Sequence, residues 1–134
     1  MIYMDDDFLE NDLDWFLSAQ DGFIAHFATG GKGPVPDVIR ESIDNYELIY
    51  DYFYSLEPLS EVEVVECNLP DFSDEKTRFH YLKSFIEMSR KGLFSYDYRD
   101  GEYKLISRPQ CPLRYSALPD DIKGVIYTSS ENRT

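Results

Sequence analysis

Two histidines, two cysteines and one glycine-rich loop are the residues of this chain whose types could support bond-making chemistry. Zinc sites draw several His, Cys or carboxylate ligands to one point, usually from short spacings. His26 and His80 stand far apart, and Cys67 and Cys111 have no CxxC spacing, so neither a metal site nor a redox pair is indicated. In a reducing compartment the default is two free thiols. A thiol nucleophile needs a base within hydrogen-bond reach, and Cys67 could find His80 only through the tertiary fold. Carboxylates are abundant, but acid–base work needs an apolar cleft that shifts one pKa, which abundance does not supply. No catalytic, cofactor-binding or metal-binding residue is assigned, and the chain is read as a non-enzyme without a cofactor.

The loop Gly30-Gly31-Lys32-Gly33 lies between an expected strand and an expected helix, where free backbone N–H groups can cradle an anion. It lacks both the GxxxxGK[ST] and the GxGxxG spacing. The helix after it carries Glu41, Asp44, Glu47 and Asp51, with Glu57 just beyond, which disfavours phosphate. The loop is read mainly as a turn. A small enzyme or ligand-binding domain using Gly30–Gly33 and His26 is the alternative from another class, and an acidic adaptor or regulatory protein is a third.

Charge is the strongest compositional signal. The formal net charge is -13, and the first 75 residues hold 19 Asp and Glu against only Lys32 and Arg40. The remaining residues carry more bases than acids, 11 against 7. Such a field repels nucleic acid, which is bound through Lys and Arg, and speeds encounter with a basic protein. The apolar runs are too short for a bilayer span, which needs roughly 20 residues. The opening MIYMDDDFLEND is acidic where a secretory signal would be basic. A cytoplasmic protein, monomer or weak homodimer, is expected.

At 134 residues a single domain over 1–134 is expected, with a loose acidic arm at 1–12 and a frayed tail at 129–134. Leu13 to Ser18 and Phe23 to Thr29 flank Asp21-Gly22, a dipeptide suited to a two-residue hairpin turn. That turn sets Phe16 opposite Phe27. A long helix is expected from Pro36 or Asp37 to Leu56, with Ile39, Ile43, Tyr46, Tyr50 and Phe53 inward and Arg40, Asp44, Glu47 and Asp51 outward. Glu61 to Cys67 reads as a short strand. Ser73 is the expected N-cap of a second helix with Phe79, Leu82, Phe85 and Ile86 inward, ending at Arg90-Lys91-Gly92. Asp100-Gly101 then closes a hairpin in which Arg99 meets Glu102 and Asp97 meets Lys104. Residues 108–119 read as a loop, followed by one helical turn and a last strand. The sum is an α+β (or α/β) fold: one mostly antiparallel sheet, built from two β-hairpins plus a short strand, packed on two main helices.

Tyr52 and Tyr54 fall toward the acidic side of the first helix, and tyrosine among carboxylates suits protein recognition. Asp44, Glu47, Asp51 and Tyr54 are the expected contact residues. The pattern Asp14-Trp15-Phe16, Asp21-Gly22, Ile24, His26-Phe27, Thr29, Gly31, Gly33 and Val35-Pro36, followed by Lys91-Gly92-Leu93-Phe94-Ser95-Tyr96-Asp97, resembles bacterial immunity proteins. These are small cytoplasmic proteins encoded beside polymorphic or contact-dependent growth-inhibition toxins, and they bind and neutralise the cognate toxin. The matching pieces hold no catalytic signature. The resemblance implies a toxin-binding role with those pieces as scaffold, and it transfers no binding residue.

Overall fold

The computed structural model describes residues 2–129. Its order is α1 (Asp6–Leu9), β1 (Asp14–Ser18), β2 (Ile24–Ala28), α2 (Asp37–Arg40), α3 (Ile43–Ser55), β3 (Val62–Val64), α4 (Glu75–Arg90), β4 (Phe94–Arg99), β5 (Glu102–Pro109), α5 (Asp120–Lys123) and β6 (Tyr127–Thr128). The fold is α+β, with one six-stranded sheet in the order β3-β5-β4-β2-β1-β6. The sheet is mixed: β1–β2, β3–β5 and β4–β5 pair antiparallel, while β2 runs parallel to β4 and β6 parallel to β1. The connection from β2 to β4 runs through α2, α3, β3 and α4, the long crossover that a parallel pair requires.

The β4–β5 hairpin carries the anticipated pairs, Arg99 with Glu102 and Asp97 with Lys104. Asp100 and Gly101 adopt φ of 56° and 83°, the double left-handed geometry of a tight hairpin turn. The first hairpin differs by one residue. Ala19 N–H donates to the Phe23 carbonyl and Gly22 N–H to the Ala19 carbonyl, so the turn spans residues 20–22 instead of two residues. Phe16 therefore faces His26, and Trp15 faces Phe27. With a side-chain period of two, this slip re-sorts which residues of the two strands share a face.

The expected long helix is two helices. Ser42 leaves helical geometry at φ −149° and its hydroxyl caps α3 by accepting from Asn45 N–H at 3.2 Å. A serine can offer its side chain to the backbone in place of the helical bond, which is why it starts helices more readily than it sits inside them. The segment before α1 takes up the groups freed at the break: Ile43 N–H donates to the Ile2 carbonyl and Met4 N–H to the Arg40 carbonyl. Met4 is fully buried. Residues 2–12, expected as a loose arm, are thus tied to α2 and α3. The end of the expected frayed tail, residues 130–134, lies outside the described residues.

Helices α3, α4 and α5 cover one face of the sheet. There Phe16 and Ile24 meet Ile49 and Phe53 of α3, Met88 of α4 and Ile122 of α5, while Leu82 and Phe85 meet Ala28 and Ile106. The second helix is capped by Asp74, whose carboxylate accepts from Thr77 N–H, and not by Ser73. Phe79, expected inward, is 65% exposed. On the other face Trp15, Phe27 and Tyr96 form a ring stack covered by Val35 and Ile39. No helix among the described residues is long and apolar enough to cross a membrane.

Candidate functional site

The expected contact residues of α3 fall on one side of the helix, Glu47, Asp51 and Tyr54 along its flank and Asp44 nearer its outward crest, because three- and four-residue steps nearly complete its turns. Asp44, Glu47, Asp51 and Tyr54 are all exposed. Glu47 and Asp51 line a cleft of about 410 Å³ together with Tyr46, Tyr50, Asp12 and Asp14. Asp44 lies outside it. Tyr54 stands beside it, its ring stacked on Tyr50 at 4.2 Å and its hydroxyl donating to Asp14 Oδ2 at 3.3 Å. Arg40, expected on the same acidic face, belongs to α2 and turns inward, donating to the Met4 carbonyl.

Asp12 and Asp14 were missed from the sequence. Their signal was faint: alternate positions leading into an otherwise apolar strand, which place both carboxylates on one side. Asp14 is also the outer end of a polar row crossing the sheet. Its Oδ1 lies 2.7 Å from His26 Nε2, and His26 Nδ1 lies 2.6 Å from Ser95 Oγ. A carboxylate only accepts, so Nε2 carries a proton, and in the neutral ring Nδ1 accepts the Ser95 hydroxyl proton. His26 and Ser95 have no exposed surface. Ser, His and Asp thus stand in line, with the Ser95 hydroxyl and the His26 ring both fully buried. The row satisfies two buried polar side chains, His26 and Ser95, that would otherwise each cost stability.

Tyr46 and Tyr54 keep their hydroxyl protons throughout the neutral range. Burial, opposed by a hydrogen bond with the Asp14 backbone and reinforced by nearby carboxylates, pushes Tyr46 up to about 12. Burial, and then the Asp14 carboxylate, pushes Tyr54 well above the usual tyrosine range. Asp12, Asp44, Glu47 and Asp51 form no ion pair among the described residues, whereas nearby bases are engaged elsewhere. Lys91, for example, donates to the Phe53 and Tyr54 carbonyls at the end of α3 and sits over the Tyr54 ring. The cleft therefore offers a cation carboxylate and phenol oxygens as acceptors, and ring faces.

The glycine loop is spent on its own turn. Gly30 N–H donates to Asp12 Oδ1, Gly31 N–H to Thr29 Oγ1, and Lys32 and Gly33 N–H to the Thr29 carbonyl. None of the four is left to hold an anion. Gly33 is required there because a Cβ would fall 2.4 Å from the Tyr103 hydroxyl. Lys32 is exposed while His26 is fully buried, so the two do not share a pocket. Cys67 and Cys111 are free and exposed.

Comparison of the chain with protein families, with curated proteins and with solved structures finds no match.

Proposed function

We propose that this protein is a bacterial immunity protein that neutralises a cognate toxin by stoichiometric blockade. The toxin, in this reading, presents a basic surface such as a nuclease cleft, and the acidic side of α3 occupies it in place of the substrate. The observation that carries the reading is the unpaired run Asp44, Glu47 and Asp51 beside Asp12 and Asp14, on a chain half that holds only two bases. Carboxylates held close together on fixed elements build a directional field, and steering of this kind raises association rates by about 10- to 1,000-fold.

The test pairs the protein with the toxin domain encoded beside it. The wild type is expected to form a one-to-one complex and to abolish toxicity. The double substitution Glu47→Lys with Asp51→Lys should slow association at least tenfold, on the scale of such steering, and flatten its salt dependence, with an unchanged urea midpoint. Absence of a wild-type complex at micromolar concentration would refute the reading.

A further inference from the structure

The acidic cleft has a counterpart on the opposite flank of the same helix. Residues 45 and 49 of α3 point nearly opposite to residues 47 and 51, since each residue turns the helix by about 100°. On the 45/49 side a groove of about 220 Å³ opens between α2–α3 and α5–β6, lined by Val38, Ile39, Ile49, Val125, Tyr127 and Tyr46, the last of which lies beneath the helix and lines the acidic cleft as well. Val38 stands at the groove 58% exposed. Between the two depressions the outward crest of α3 carries Asp44 and Leu48, the latter 41% exposed. Helix α3 is therefore a ridge with an apolar slot on one flank and an anionic one on the other.

Charge settles what such a ridge fits. Glu41 lines the apolar groove, and Asp44 stands on the crest. Lys123 of α5 is held over the Tyr115 ring. An apolar side chain entering the groove brings its neighbours against carboxylates, so a partner with bases beside its anchor is favoured and an acidic one is repelled. Acidic steering also gives rate more than tightness, whereas a buried apolar anchor holds the complex once formed.

Resting on the toxin-binding reading, we infer that the partner straddles α3, seating an aliphatic or aromatic side chain in the Val38–Val125 groove and an arginine or lysine in the Asp14–Asp51 cleft. The helix is about 10–12 Å across with its side chains. The two partner groups must then be three or four extended residues apart, at roughly 3.3–3.6 Å per residue.

The probe is the peptide acetyl-Leu-Gly-Ser-Gly-Arg-amide, titrated to millimolar concentration against the full chain with amide shifts mapped by NMR. Saturable shifts are expected on both flanks, at Asn45, Val125 and Tyr127 and at Asp14, Glu47 and Asp51. Replacing the leucine by serine, or the arginine by citrulline, should each weaken binding at least threefold. Gly124→Trp fills the groove from a position whose Cβ meets nothing nearer than Asp120 O at 3.5 Å, and it should erase the groove shifts with an unchanged urea midpoint. No saturable shift, or shifts confined to one flank, overturns the inference. With the toxin itself, Gly124→Trp is expected to raise Kd at least tenfold. Unchanged affinity in that variant overturns the straddling contact while leaving immunity intact. Failure of the wild type to bind the toxin overturns the immunity reading instead, and the peptide titration then decides the two-flank surface alone.

Discussion

Removing the Asp14 carboxylate separates its two roles, as a charge in the cleft and as the acceptor that closes the Asp14–His26–Ser95 row. In Asp14→Ala the His26 Nε2–H loses its acceptor in a site with no solvent exposure. A buried donor left unsatisfied costs about 1–3 kcal/mol. Loss of the Tyr54 hydrogen bond adds less, since that bond is at the surface and water replaces it. A total of about 1–3 kcal/mol is expected, which at a urea slope of about 1–3 kcal/mol/M lowers the midpoint by on the order of 1 M. Asp14→Asn keeps a carbonyl oxygen for Nε2–H to meet and should cost less than about half of that. Asp51→Ala, which removes a carboxylate from the same cleft with no buried partner, should stay within about 0.5 kcal/mol. Urea unfolding of the three variants, followed by circular dichroism, gives the comparison. Equal midpoints for Asp14→Ala and Asp51→Ala would refute the claim that the row is a buried latch, and equal losses in Asp14→Ala and Asp14→Asn would show that charge, not the acceptor, matters.

Two further outcomes concern pH. Tyr46 and Tyr103 are both pushed up to about 12, chiefly by burial. The unfolded chain then ionises first, so their contribution is fully present below pH 10 and is lost as pH rises from 10 to about 12; a denaturation midpoint that does not fall across that window contradicts it. Burial raises the Asp97 carboxyl above the usual range, against the lowering effects of the Tyr81 hydroxyl and Arg99. The folded state binds this proton more readily than the unfolded one, so the group's penalty is complete above its folded pKa and disappears as pH falls toward the ordinary carboxylate range. Asp97→Asn, which still accepts from Tyr81, should therefore be at least as stable as the wild type at neutral pH, and the difference should shrink on acidification. A difference that grows toward low pH would contradict the assignment.

The sequence by itself determined what depends on neighbours in the chain. The Asp100-Gly101 turn fixed the β4–β5 register because a two-residue turn with positive φ at both positions leaves one pairing of the strands, although among the described residues the bases Arg99 and Lys104 meet Asp100 and not the carboxylates opposite them. It also determined that the outer side of α3 is acidic, since an amphipathic stripe assigns its remainder to solvent. The first hairpin was not legible in the same way. Asp21-Gly22 permits both a two- and a three-residue turn, and packing chose the one that puts His26 beside Asp14 and Ser95 and lets Trp15 stack on Phe27. The break at Ser42 depends on Ile2 and Met4, residues nearly forty positions away, meeting the exposed groups of two helix ends. Tertiary structure alone brought Asp12 and Asp14 to the side of α3 and opened a groove on its other flank, because a cleft between a helix and a strand belongs to neither segment. Even the acidic run of α3, plain in the sequence, gained a location only from the strand it lies against.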